Sequence, residues 1–242
     1  ALAVALQAQA VFASHDDEPA ALARDALLRG RLAGAGVAFH TSKDHVVFER
    51  SEVLTLAGGA FSVFTPYKNA WLKKLEPSHL KAHAVAPHAA ALAPRPAAEP
   101  GVPTLADIGF APTNLHALKL PSGPAGAQEL LADFVERIDR YHETRDFPAI
   151  KGPSYLSTHL RFGTVSVRQL ARLAFERRQA GSRGAEVWLS ELIWRDFYHQ
   201  ILHHHPRVAA HAFKPEYDRI RWEHGKAAEG LFAAWCEGRT GY

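Results

Sequence analysis

The stretch Trp188 to Gln200, WLSELIWRDFYHQ, decides how this chain is read. At about 100° per residue, Trp188, Glu191, Trp194, Arg195 and Tyr198 share one side of a helix, and Leu189, Leu192, Ile193 and Phe197 share the other. The aliphatic side is an ordinary core stripe. The other side is aromatic and flat, with one carboxyl and one guanidinium set among the rings.

Two readings of that second side compete. In the plain one, Trp188, Trp194 and Tyr198 are core aromatics, and Glu191 with Arg195 is an i,i+4 ion pair in the favourable order. In the other, the rings stack on flat partners such as bases or a flavin. The rest of the chain decides between them.

Composition sets the outer bounds. A chain of 242 residues, 47% of them hydrophobic, can bury a real core in one large domain or two smaller ones. Lys+Arg 28 against Asp+Glu 25 leaves +3, which permits a polyanionic partner without demanding one. The one cysteine, Cys236, excludes an intrachain disulfide framework and fits a reducing, cytoplasmic compartment. The opening ALAVALQAQAVFAS resembles the apolar part of a signal peptide but has no basic segment before it, and no run is long enough to span a membrane. There is no methionine, even at residue 1, which suggests a piece of a longer chain.

Taken in order, Ala10 to Ser14 reads as a short buried strand, and Asp16, Asp17, Glu18 and Pro19 supply a helix start. A metal site on His15, Asp16 and Asp17 is the costlier reading of the same acids. The helix runs to about Leu32 and stops at Gly34 and Gly36, after which Val37–Thr41 and Val46–Phe48 read as strand. Strand, helix, strand at this spacing is the end of an α/β unit. Thr65 is the expected N-cap and Pro66 the first residue of another helix, ending near Leu75. Pro77 to Pro124 holds nine of the fifteen prolines and reads as a connector. The expected organisation is therefore an α/β part over 1–75, a Pro/Ala-rich connector over 76–126 and a helical part over 127–242.

In the helical part, Leu130, Leu131, Phe134, Val135, Ile138 and Tyr141 recur at helical spacing. Ser166 with Gln169 reads as a capping box. The Trp188 helix should end near His203–His205 and Pro206. Those three histidines point in different directions, so helix-end solvation suits them better than a metal. Between lies Tyr141 to Ser166, YHETRDFPAIKGPSYLSTHLRFGTVS. Gly152, Ser154 and Ser157 offer backbone and hydroxyl donors in a turn, which suits either a phosphate or a plain serine-held turn. Lys151, Arg145 and Arg161 would strengthen an anion site.

In combination, RDFPAIKGPSYLSTHLRFG, WLSELIWRDFYHQ and WCEGRTGY closely resemble the photolyase and cryptochrome flavoproteins, most of all the bacterial cyclobutane pyrimidine dimer photolyases. FTPYKNAW and HDDEP fit the same family's α/β domain and its exit. The resemblance implies the end of a Rossmann-like antenna domain, a long linker, and the first part of an all-α FAD-binding domain. It implies light-driven repair of cyclobutane pyrimidine dimers by electron transfer from reduced FAD, a carbon–carbon lyase reaction on ultraviolet-damaged DNA by a monomeric protein with no membrane partner. A second antenna chromophore, folate or deazaflavin, goes with the family but is assigned to no residue here.

Carried over position by position, Tyr141, Ser154, Leu156 and Ser157 would hold FAD, and Trp188, Glu191 and Arg195 would border it. Glu191, Trp194 and Tyr198 would face the lesion, with Glu191 and Trp194 the catalytic pair, and Arg145 would contact the DNA backbone. No metal is implied. Glu191, desolvated among rings, is expected to favour its neutral form and to donate a hydrogen bond to a pyrimidine carbonyl. Two positions depart from the family: Pro153 stands where Thr usually begins the loop, and Tyr155 where Arg is common, so those contacts are not carried over. In the family the chain continues past GRTGY into helices that complete the flavin pocket and carry its tryptophan relay, so the resemblance implies an incomplete enzyme. The competing functions are a cryptochrome-like blue-light sensor without repair, and a cofactor-free helical module that binds nucleic acid by stacking alone.

Overall fold

The computed structural model describes residues 2–94 and 102–241. The middle of the expected connector, residues 95–101, and the two terminal residues lie outside them. After a short turn of helix, α1 (Leu2–Ala5), strand β1 (Ala10–Ser14) leads through α2 (Pro19–Gly34) to β2 (Ala38–Ser42). The two strands pair in parallel, Ala10 opposite Ala38 through Ser14 opposite Ser42. Proline at the first turn of α2 has no N–H to leave unpaired. Gly36, at φ +72°, turns the chain out of the helix.

Several local expectations change. β1 is not buried: Phe12 is 77% exposed and stacks on His40 at 5.1 Å, because a two-stranded sheet leaves one face open. Val46–Phe48 is buried but is not a strand. The backbone N–H groups of Val47 and Phe48 donate instead to the carboxylate of Asp196, at 3.1 and 3.0 Å. The next helix, α3 (Phe64–Lys74), starts two residues before Pro66, with Val63 rather than Thr65 at its N-cap. Asp17 is no helix cap either. It is buried, and accepts from Arg50 at 3.4 Å and pairs with His203 at 3.1 Å.

Past α3 the chain makes short 3-10 turns, of which Pro77–Leu80 docks Leu80 into the core. Helix α4 (Gly123–Val135) follows, and the apolar rhythm then continues through a 3-10 turn at Ile138–Arg140 into α5 (Tyr141–Thr144). Leu131, Phe134, Ile138 and Tyr141 are the buried members of that run. After α6 (Ser157–Phe162), α7 (Val167–Gln179) buries Val167, Leu170, Ala171 and Ala174, a stripe at i, i+3, i+4 and i+7. Ser166 is its N-cap, but the Ser166 side chain makes no capping bond, so the expected capping box is absent.

Helix α8 (Arg183–His204) is the axis of the molecule. Its cap is Ser182, whose Oγ accepts from the N–H of Ala185 at 3.2 Å. Gly184 is forced by proximity, since a Cβ there would lie 2.0 Å from the carbonyl oxygen of Ile138. The aliphatic side of the helix is buried as expected, while the aromatic side is divided, with Trp188 buried, Glu191, Trp194 and Arg195 partly buried and Tyr198 exposed. Trp188 is 4% exposed and Asp196 0%, alongside Leu189, Ile193 and Phe197, because α3, α5 and α7 all pack against α8. A single cluster runs from Phe48, Tyr67 and Trp71 through Ile193 and Leu189 to Phe134 and Leu170. The last helix, α9 (Lys226–Cys236), buries none of its residues among the described chain.

Candidate functional site

A cleft of about 300 Å³ opens beside α8. One wall is α8 itself, through Trp188, Glu191, Leu192 and Arg195; the other is the loop Pro153–Ser157 with Tyr141 and Leu160. Tyr141, Ser154, Leu156, Ser157, Trp188 and Arg195, well separated along the sequence, thus meet around one space with Glu191 at its border. Its volume lies at the lower end of the range for small-molecule sites, so these walls would enclose only part of a dinucleotide.

The loop is held open by contacts that the sequence did not reveal. Arg137 Nη1 donates to the carbonyls of Gly152 at 2.8 Å and Pro153 at 2.9 Å, while its Nη2 donates to Asp133 at 2.8 Å. Lys151 reaches the other oxygen of Asp133 at 2.8 Å. Gly152 packs so closely on α5 that a Cβ would lie 2.6 Å from the carbonyl of Thr144. Tyr155 then takes a left-handed conformation, φ +57°, which costs a non-glycine residue about 1 kcal/mol or more. That turn lets the chain reverse, placing Leu156 in the core and Ser157 at the start of α6.

The charged groups are arranged differently from the expected i,i+4 pair. Glu191 is bound by Arg145, Nη1 to Oε1 at 2.5 Å, and Arg195 instead donates to the backbone carbonyl of His45. Arg145 also lies over the ring of Tyr141 at 5.6 Å and reaches Asp146 at 3.3 Å. Glu191 is therefore not an isolated carboxyl among rings, and its expected neutral form has a guanidinium against it. Arg145, expected on the DNA backbone, is held above its ordinary pKa first by its hydrogen bond to Glu191. Burial pushes the Arg195 guanidinium down and the Tyr141 phenol up.

Trp194 and Tyr198 lie outside the cleft lining. Trp194 stacks on Phe64 at 3.6 Å and on Tyr198 at 5.4 Å, and Tyr198 is 62% exposed. Beneath them, Asp196 Oδ2 accepts from Val47 N, Phe48 N and Trp71 Nε1, tying α8 to the first half of the chain. Burial outweighs those three donors and pushes the Asp196 carboxyl up to about 6. His199, half-buried beside Arg195 and His45, is pushed down to about 4, chiefly by desolvation. Nothing in the sequence marked Asp196, which is on neither of the two sides read from the Trp188 helix. Among the described residues no group of three His, Cys, Asp or Glu is placed to hold a metal, and no helix is long and apolar enough to cross a membrane.

An α/β unit packed on a helical part, with a loop-and-helix cleft in the latter, is the architecture of a known class. A bacterial class III photolyase from Agrobacterium tumefaciens superposes on all of this chain and 50% of its own, with a TM-score of 0.80 at 26% identity. The cryptochrome of Synechocystis shares the fold over 96% of this chain and 49% of its own, TM-score 0.72, at 15% identity. Two family models match, DNA photolyase over residues 1–90 and the FAD binding domain of DNA photolyase over 188–242. A deoxyribodipyrimidine photo-lyase of Vibrio cholerae is 34% identical over 252 aligned positions, covering 100% of this chain and 51% of the relative. The chain belongs to the DNA photolyase and cryptochrome family. It spans about half the length of the curated relatives it matches.

Proposed function

We propose that this chain supplies the first part of the FAD site of a light-driven DNA-repair enzyme acting on cyclobutane pyrimidine dimers, together with the end of the α/β domain that precedes it. The observation that carries the reading is the cleft, where Tyr141, Ser154, Leu156, Ser157, Trp188 and Arg195 converge with Glu191. Its donor set suits a flavin dinucleotide. Ser154 and Ser157 offer hydroxyls, Arg195 a cation fixed by the His45 carbonyl, and Trp188, Leu156 and Leu160 apolar walls. Pro153 removes one N–H from that set.

When bound, reduced FAD would supply the electron that opens the cyclobutane ring. This chain's residues position and stabilise. Trp194 offers an indole for a flipped pyrimidine, since a dimer must leave the duplex stack before it can meet a flavin. Arg145 holds Glu191 at the cleft border until DNA arrives. As its guanidinium turns to a phosphate, Glu191 loses its ionic partner in a site that is being dried. The freed Glu191 side chain then borders the pyrimidine carbonyl at which negative charge develops, a place from which a hydrogen bond would stabilise that charge.

The experiment is loss of thymine dimers from an oligonucleotide under blue light against a dark control, with released flavin measured on the same sample. Light-dependent loss supports repair. Bound flavin without loss would leave a cryptochrome-like sensor, and a folded sample with neither would leave a stacking module alone.

A further inference from the structure

Trp194 is held between two rings of different character. Phe64, the first residue of α3, lies with its centroid 3.6 Å from that of the indole and its plane 7° away, filling one face. Tyr198, one turn further along α8, is also near-parallel, at 5.4 Å and 21°. A face already filled at van der Waals separation has no room for a second parallel ring, so Tyr198 lies against the other face. Phe64 is partly buried, packs on the core and meets Phe197 edge-on at 5.9 Å. Tyr198 is open to solvent on most of its surface.

We propose that Phe64 is a positioning residue for stacking of a flat base on Trp194. It is a fixed rear platform that sets the indole plane and leaves only the Tyr198 face for the base. The proposal rests on the reading of Trp194 as a lesion-facing residue. Phe197 holds the indole from its edge, at 5.5 Å and 79°, so Phe64 and Phe197 between them leave the ring little freedom to tilt. Tyr198 has fewer constraints. A base that arrives exchanges one ring contact for another, so displacing Tyr198 costs little, whereas displacing Phe64 would open the core. The platform comes from the α/β part and the indole from the helical part, so their packing sets the angle at which a base is received.

The test uses Phe64→Leu and Phe64→Tyr in the protein as expressed from its own gene. Affinity is read from quenching of tryptophan fluorescence by an oligonucleotide with one thymine dimer and by its undamaged counterpart. Loss of one aromatic stack predicts that Phe64→Leu binds the dimer about fivefold more weakly, with a smaller preference over undamaged DNA. Flavin content should stay unchanged, and Phe64→Tyr, which keeps the ring, should bind as the parent does. A purely structural role would instead lower flavin content and melting temperature without narrowing the damage preference, and that pattern overturns the proposal. So does unaltered dimer binding by Phe64→Leu where Trp194→Ala is impaired. If Trp194→Ala itself binds normally, the lesion-facing reading fails and the platform falls with it. Should Phe64→Leu not fold, Phe64→Met carries the same expectation and the same refutation.

Discussion

Replacing Asp196 by asparagine should change the pH dependence of stability in a direction fixed by burial. The carboxyl is 0% exposed, Oδ2 accepts three N–H bonds, and Oδ1 has no partner among the described residues. Its folded pKa is raised from 3.8 to about 6, so the folded state binds the proton more tightly than the unfolded chain does. A carboxyl raised in this way contributes stability below the unfolded value and loses it as pH rises toward the folded one. At 1.36 kcal/mol per pH unit, the span from 3.8 to about 6 corresponds to ~3 kcal/mol. The substituted amide would keep an oxygen for the three donors and never ionise. Its NH2 would replace the unpartnered Oδ1, one turn from the equally unpartnered Oε1 of Gln200. The stability of Asp196→Asn minus that of the parent should therefore rise by ~3 kcal/mol between about pH 4 and pH 7. Urea unfolding at half-unit pH steps measures that difference, in which all other titrating groups cancel. A difference that stays flat across the range would refute the argument. Asp196→Ala tests the donors separately: three buried N–H groups lose their acceptor, and the loss should be at least ~3 kcal/mol at every pH.

Other outcomes follow from the same geometry. His199, pushed down to about 4, is held neutral, so its contribution is present above its ordinary 6.5 and lost as pH falls toward 4, opposite in sign to Asp196; His199→Gln should remove that acid-side loss in the same titration. Gly184→Ala forces a methyl group against the Ile138 and Asp139 backbone and should cost ~1–3 kcal/mol in chemical unfolding. Arg145→Ala should weaken binding to damaged and undamaged DNA alike and flatten the salt dependence, and an unchanged salt slope would remove it as a phosphate contact. Glu191→Ala should lower the yield of repair more than DNA affinity, as read from dimers lost per photon absorbed and from a binding isotherm on the same protein; an unchanged yield removes Glu191 from the chemistry.

Local elements were legible wherever one residue's neighbours in sequence are also its neighbours in space. Pro19 and Gly36 bracket α2, the i, i+3, i+4 rhythm of Val167, Leu170 and Ala171 marks α7, and Pro206 stops α8, all through backbone sterics and single-helix periodicity. The residues that line the cleft could be named in advance because family motifs record which positions meet, which periodicity alone does not. The failures were of another kind. Val46–Phe48 has strand-like side chains, yet its N–H groups are taken by an acid 148 and 149 positions away. Thr65 and Pro66 looked like a helix start, but the helix begins at Phe64, whose ring stacks on Trp194.

Charge partners were the least legible feature. Glu191 and Arg195 lie four residues apart on one helix, and helical geometry alone would pair them. Arg145 and the His45 carbonyl outcompete that pair because the end of α5 and the α/β part are packed on the same stretch of α8. By itself the sequence determined most of the helices, since these follow from local sterics and periodicity, while the set of residues expected around a flat, anionic ligand came from the family resemblance of its motifs. Only the tertiary structure decided which acid meets which base, which ring backs Trp194, and which buried carboxyl ties the two halves together, because each depends on groups brought close by packing and not by order along the chain.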